Sequence, residues 1–376
     1  MSDNGEKTKS VVLVNYHEIM DKIFVAAEQT DEAPERIAVF THPNPDPDGM
    51  ASALGLKWLL ANKYGIEVDF ITFGESTRKQ NTTMINLLGI VMSDWGAVKE
   101  TFNETYERAI VVDALPDRLP PEAAKKVKLV IDHHDVNLTS AQRKKYDLVM
   151  IERVGACCSL IYRLMSECGC LPGDKSIEQH PSAGDAQLVA TAMTAGIMID
   201  TRQFMSLSVN KLDLEAYTYF FGLADSKLAR KIDKFKESRY LFELRGELIK
   251  EENHVIENTT YIGSAGYLPA GRTDVLPQLA DEFIRMEGVT TAIVFAIVEN
   301  DLVVKMRSED ESLVVNTFLQ KLFGEKNAGA KAGEGGGAIP LGLLGIDSPT
   351  DELKAKIYDT IKSVIMHLLS REVKNE

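Results

Sequence analysis

Four apolar runs in this chain stop on the same two kinds of side chain. Ile37–Thr41 runs into His42 and then Asp46 and Asp48. Val111–Val112 stops at Asp113, Val130–Ile131 stops at Asp132, His133 and His134, and the run through Gly196–Ile199 stops at Asp200. Between and after these runs lie longer stretches with apolar residues at helical spacing: Met50–Tyr64, Ser159–Glu167, Leu188–Met198 and Leu212–Phe221. Further short apolar runs at Val68–Phe73 and Leu148–Ile151 complete the alternation, and the second and third of the four runs reach back to Ala109 and Leu129. Strands alternating with helices predict an α/β fold built on a mostly parallel sheet covered on both faces. The C-terminal edge of such strands is where α/β proteins place their sites. Strand ends in one sheet would bring these four groups together.

The chain has 376 residues, enough for about two domains. A helix is expected within the first 35 residues, over about Val11–Gln29, and the catalytic unit over 36–225. Lys, Arg and Glu then crowd residues 226–258, which read as a linker helix. A second, smaller α/β unit follows over 259–376. Its expected strands are Tyr261–Tyr267, Ala292–Val298 and Leu302–Met306, its helices lie near Leu276–Met286, Leu313–Phe323 and Glu352–Leu369, and Ala328–Gly345 reads as a Gly-rich loop.

Composition narrows the function. At 44% hydrophobic and 26% charged residues, the chain can bury a core and is neither collagenous nor disordered. Its net charge of -14 repels phosphate polymers, which argues against binding long DNA or RNA. A small anion held by a local pocket remains compatible with that charge. The four cysteines (Cys157, Cys158, Cys168 and Cys170) sit in one short stretch, which suits a reducing compartment. The polar Met1–Ser10 segment and the lack of a long apolar run complete the expectation of a cytoplasmic protein with no membrane partner.

Taken alone, Thr41–Ser52 (THPNPDPDGMAS) could be a solvated turn leading into a helix N-cap, or a cation site. One imidazole and several carboxylates suit Mn²⁺ or a similar divalent ion. Converging carboxylates would repel one another without a cation, so the four motifs together favour metal.

HPNPDPD, VVDA, DHH and GIMIDT, in that order, resemble the four motifs of the DHH phosphoesterase superfamily. That superfamily includes RecJ-like exonucleases, nanoRNase/pAp phosphatases, cyclic dinucleotide phosphodiesterases and family II pyrophosphatases. The resemblance implies two divalent ions, most simply Mn²⁺. One would be held by His42, Asp46 and Asp113, and the other by Asp48, Asp113, His133 and Asp200, with Asp113 bridging. A water shared by the pair would act as hydroxide in an in-line displacement. His134 would face the substrate phosphate. Asp132 would either orient an imidazole or be an ordinary buried carboxylate.

Lys305–Ser308 (KMRS), followed by a helix and a Gly-rich stretch, resembles the DHHA1 domain that accompanies DHH domains. By that resemblance Arg307, Ser308 and the amides of Gly335, Gly336 and Gly337 would grip the substrate. The family's Gly-Gly-His is here Gly333-Glu334-Gly335-Gly336-Gly337, without His. Arg202-Gln203-Phe204 likewise replaces the small residues often seen after the fourth motif. The expected activity is hydrolysis of short 5′-phosphorylated oligoribonucleotides or pAp-like nucleotides, in a cleft between the two domains. A cyclic dinucleotide phosphodiesterase and a silent nucleotide sensor are the alternatives. The partner is then a short oligonucleotide or small nucleotide, and a homodimer is compatible with a sequence that does not fix the assembly state.

Overall fold

Strand and helix alternate through the first half of the chain as the apolar spacing predicts. The computed structural model describes residues 15–24, 36–74, 78–134, 138–269, 271–273, 275–310, 312–331, 333–342 and 351–375. The chain divides into two compact units, Met1–Lys236 and Glu237–Glu376. The first runs α1 (Tyr16–Ile23), β1 (Arg36–Phe40), α2 (Pro47–Tyr64), β2 (Glu67–Thr72), α3 (Lys79–Leu88) and β3 (Ser93–Asp94). It continues α4 (Trp95–Val98), α5 (Phe102–Thr105), β4 (Arg108–Val112), α6 (Pro121–Lys126), β5 (Val127–Asp132), α7 (Ser140–Arg143) and β6 (Leu148–Ile151). Four helices close it: α8 (Cys157–Glu167), α9 (Ala186–Asp200), α10 (Lys211–Phe221) and α11 (Ser226–Asp233).

All six strands are parallel, in the order β3-β2-β1-β4-β5-β6. The sheet therefore starts in its middle, winds outward to β3, and returns to lay β4 beside β1. Where the winding reverses, the two neighbouring strand ends leave a crevice. Alternate residues face opposite sides, and both sides are buried. Ile37, Val39, Ile110, Val112, Leu129 and Ile131 join one core, and Ala38, Phe40, Ala109, Val111 and Val130 the other. The helix expected at the N-terminus is present as α1, with Met20 and Phe24 buried in the first of these cores; its flanks at 11–14 and 25–29 lie outside the described residues.

The second unit runs α12 (Arg239–Leu248), β7 (His254–Glu257), β8 (Thr260–Leu268), α13 (Val275–Phe283), β9 (Thr291–Val298) and β10 (Asp301–Ser308). It ends with α14 (Val315–Phe323), β11 (Ala328–Lys331), β12 (Glu334–Pro340) and α15 (Asp351–Asn375). Its sheet, β11-β12-β10-β9-β8-β7, is mixed: only β8 and β9 pair in parallel. Among the described residues no helix is long and apolar enough to cross a membrane. All four cysteines are buried and free.

Three sequence readings are corrected. Residues 226–258 are not one linker helix. Ile232 of α11 packs in the first unit's core, whereas Leu241, Leu244 and Leu248 of α12 pack in the second's. Apolar stripes belonging to different cores break the helix between them. Asp200 does not end a strand; it is the last residue of helix α9. Finally, the glycine stretch forms strands over Ala328–Lys331 and Glu334–Pro340 rather than a loop, its end at 343–345 lying outside the described residues. β12 is hydrogen-bonded to β10 on one side and β11 on the other, so Gly335, Gly336 and Gly337 lie inside the ladder. Their amides are directed along the sheet and cannot cradle a phosphate.

What the glycines do instead is admit a close neighbour. A Cβ on Gly335 would sit 2.5 Å from Leu319 Cδ1 and 2.7 Å from Val315 Cγ1, both on α14. Gly335→Val should therefore overpack this face and destabilise the second unit by about 1–3 kcal/mol. Thermal unfolding would register this as a lowered midpoint. An unchanged midpoint would mean that α14 does not need the gap.

Candidate metal centre

The first unit's crevice collects six of the sequence-nominated side chains. His42 follows β1 by two residues and Asp113 follows β4 directly, so the two strands flanking the reversal each supply a ligand. Asp46 and Asp48 come from the start of α2, His133 from the end of β5, and Asp200 from the end of α9. The ligand atoms fall into overlapping groups: His42, Asp46 and Asp113; Asp48, His133 and Asp200; and Asp113, His133 and His134.

The spacings are diagnostic. His42 Nε2 lies 3.7 Å from Asp46 Oδ2 and 3.8 Å from Asp113 Oδ2. His133 Nε2 lies 3.4 Å from both Asp113 Oδ1 and Asp200 Oδ2, and 3.9 Å from Asp48 Oδ2. These gaps are mostly too long for hydrogen bonds. Two donors each about 2.1 Å from a shared ion fall near this separation at ordinary coordination angles. Asp113 belongs to two of the three groups, is 3% exposed, and its Oδ1 is buried with no hydrogen-bond partner. A buried carboxylate oxygen without a partner is costly. The donor set fits divalent cations, which would satisfy it.

Each ligand is held by its element. Asp46 caps α2, its Oδ1 accepting from the Asp48 and Gly49 amides at 3.1 and 3.0 Å, which leaves Oδ2 for the site. Asp48 accepts from the Cys157 and Cys158 amides at the start of α8, at 2.6 and 2.9 Å, so a helix N-terminus fixes it. Asp113 has φ 55°, a left-handed conformation that turns its side chain off the strand. His133 Nδ1 lies 3.1 Å from the Val154 carbonyl. A carbonyl can only accept, so Nδ1 carries a proton and Nε2 is the nitrogen turned to the carboxylates, free to ligate a metal once it gives up its own proton. His134 is half exposed, its Nδ1 2.8 Å from Asp132 Oδ1. Asp132, itself buried, is the partner of that imidazole.

Burial is the largest influence on the carboxyls. It pushes Asp113 well above the ordinary carboxylate range. It raises Asp48 despite the His133 imidazole, and raises Asp200 to about 7, Asp48 adding its repulsion. Asp46 goes the other way, because the His42 imidazole, the Gly49 amide and the Arg78 charge outweigh burial. Burial alone would lower His133, but Asp113, Asp48 and Asp200 raise it to about 11. These groups cannot all be ionised together unless a cation replaces the protons.

Two supporting residues escaped the sequence reading. Asp213, fully buried on α10, accepts from the amides of Gly155, Ala156 and Asn210 and from Ser159 Oγ, at 2.6–3.2 Å. It pins the loop that leads into α8, and its trace in sequence is the Asn210-x-x-Asp213 capping pattern. The Val154 carbonyl left no signal, since any residue carries one. In the second unit, the nominated Arg307 is only 13% exposed, with Nε 2.5 Å from Asp281 Oδ1 and a terminal nitrogen 3.6 Å from Glu334 Oε2. Ser308 Oγ is 2.8 Å from Thr291 Oγ1. The chain itself thus gives both side chains partners.

Residues 36–197 match the DHH family, N-terminal domain. An uncharacterized protein of Methanocaldococcus jannaschii is 29% identical over 91% of this chain, and the chain spans 65% of that protein's length. A probable manganese-dependent inorganic pyrophosphatase of Streptococcus pyogenes is 24% identical over 36% of this chain and 42% of its own. The structure of an exopolyphosphatase-related protein from Bacteroides fragilis shares the fold, with a TM-score of 0.64 and 15% identity over 94% of this chain and 97% of that one.

Loading with Mn²⁺ should release protons, because Asp200 and His133 must give theirs up. Both hold protons more tightly than in an unfolded chain, so affinity should rise with pH, most steeply below about pH 7, where Asp200 is still protonated, and more gently above it, where only the His133 proton, held up to about 11, remains to be displaced. Titration calorimetry in buffers of different ionisation enthalpy counts those protons. A pH-independent affinity without proton release would reject this ligand set.

Proposed function

We propose that this chain, whose residues 36–197 match the DHH family, N-terminal domain, is a metal-dependent hydrolase of short 5′-phosphorylated oligoribonucleotides or pAp-like nucleotides. The observation that carries the reading is the buried Asp113 carboxylate, whose unpartnered Oδ1 faces His133 while its Oδ2 faces His42, so that it reaches two groups of ligand atoms. The proposed ligands are His42, Asp46 and Asp113 for one divalent ion and Asp48, Asp113, His133 and Asp200 for the other, Mn²⁺ being the ion expected. When bound, such a pair supplies positive charge that polarises a phosphoryl group and stabilises charge on the attacking and leaving oxygens.

The remaining work falls to the chain. Asp132 and the Val154 carbonyl fix the two imidazoles, so His133 presents Nε2 inward and His134 presents Nε2 toward solvent. His134 is then placed to hydrogen-bond a phosphate oxygen, or to deliver a proton from Nε2 to the leaving oxygen. The amides at the start of α8 keep Asp48 from moving when the substrate's charge arrives.

A second reading, hydrolysis of short inorganic polyphosphates, gains support from the second unit. The case for a nucleotide rested partly on a glycine loop free to bind phosphate, and those glycines are strand residues. The pyrophosphatase relative matches within about a third of the chain.

Release of mononucleotide from a 5′-phosphorylated diribonucleotide, with Mn²⁺ and then with EDTA, separates the two readings. Mn²⁺-dependent release is the expected result. Release of orthophosphate from tripolyphosphate, with no mononucleotide released, would favour the second. Asp113→Asn should lower turnover on the true substrate at least a hundredfold, since it removes the shared charge; more than a few per cent residual activity would refute the two-ion assignment. His134→Ala should depress turnover while bound metal, measured by elemental analysis, stays near the wild-type level. Loss of metal would mean that His134 is a ligand.

A further inference from the structure

A cavity of about 530 Å³ adjoins the metal ligands within the first unit. Asp46, Asp48 and Asp200 contribute to its wall, and so do Arg78, Arg202 and Ser206. Its lining therefore joins the carboxylates that would hold cations to two guanidinium groups, in a chain of net charge -14.

Both arginines stand at backbone positions that do not favour them. Arg78 is exposed and occupies the N-cap of α3 without making a capping bond, and the first turn of that helix holds no acidic residue. A cation there opposes the helix dipole. Arg202 opens a run of three left-handed residues, Arg202, Gln203 and Phe204, with φ of 50°, 58° and 67°. L side chains disfavour that conformation, and three in succession persist only where the surroundings enforce it. Here they do. Gln203 N donates to Met198 O at 2.8 Å, Phe204 N to Thr201 Oγ1 at 3.1 Å, and Ser206 N to Thr201 O at 3.0 Å. The Phe204 ring packs edge-on against Tyr217 at 5.0 Å. One rigid turn thus presents Asp200 and, two residues later, Arg202 to the same cavity.

We propose that Arg78 and Arg202 form a second phosphate subsite beside the metal centre, so that the enzyme selects substrates carrying a phosphate beyond the one it cleaves. The inference rests on the phosphohydrolase reading of the carboxylates and names what the neighbouring cavity holds. Guanidinium pairs suit phosphate because their donors match its oxygens in bidentate geometry. The shared chemistry is the second phosphate, whether the 5′-phosphate of a nucleotide or the next unit of an inorganic chain. It also gives the first unit its own means of substrate selection.

Two matched ligand pairs test it on the Mn²⁺-loaded full chain: 5′-phosphorylated against 5′-hydroxyl diribonucleotide, and tripolyphosphate against orthophosphate. KM is read where turnover occurs and an inhibition or dissociation constant where it does not. The wild type should prefer the member with the extra phosphate by about tenfold or more in at least one pair. Arg202→Gln and Arg78→Gln should each remove most of that preference through KM, with kcat and bound metal near wild type, and Arg202→Lys should restore part of it. Variants that weaken both members of a pair equally, or leave the preference intact, would overturn the subsite. If no nucleotide is cleaved but the tripolyphosphate preference is lost in the variants, the oligonucleotide reading fails and the subsite stands.

Discussion

One carboxylate that the folded chain leaves without a hydrogen bond organises the rest of the first unit. Asp113 sits at the mouth of the sheet's crevice, buried and in a left-handed conformation, with an oxygen that nothing in the protein satisfies. Without a cation burial favours the protonated carboxyl, and it can carry its charge there only with a cation to share it. The surrounding architecture reads as preparation for that cation. Two strands flank the reversal point, a helix N-terminus holds Asp48, backbone and carboxylate acceptors fix both imidazoles, and buried Asp213 ties down the loop between them.

Rigidity here comes from close packing as much as from hydrogen bonds. A Cβ on Gly196 of α9 would meet Cys158 Sγ at 2.8 Å and the Pro47 carbonyl at 3.1 Å. The glycine lets α9 lie against the starts of α2 and α8, and that approach carries Asp200 to the other ligands. Cys157 and Cys158 belong to the same contact. Burial pushes both thiols well up, with the nearby carboxylates adding to it, so they pack as small residues and stay protonated. In the second unit glycines do comparable work, admitting α14 to the face of β12. Glycine is chosen at both places for its small size.

Much of the site was legible because strand ends are punctuated. An apolar run that stops on Asp or His, in an α/β pattern, says where its last side chain must be, and the resemblance of four such runs to one superfamily gave their order meaning. The same logic misread Asp200, since an apolar run of that length is compatible with a strand or a buried helix. It misread the glycines too. Composition marks them as conformationally free, but two neighbouring strands and a helix remove that freedom. The charged stretch at 226–258 misled for a related reason, because its polar surface is continuous while its apolar stripe changes allegiance between two cores.

The sequence by itself determined which residues could bind a cation, the α/β class of the first unit, and the order in which its ligands are delivered, because all three follow from periodicity and side-chain chemistry along one chain. Only the tertiary structure decided which of those residues meet, which oxygen is left unsatisfied, that Arg307 is engaged by Asp281, and that Arg78 and Arg202 line one cavity. Those facts depend on distances between segments far apart in the chain, and no local pattern encodes such a distance.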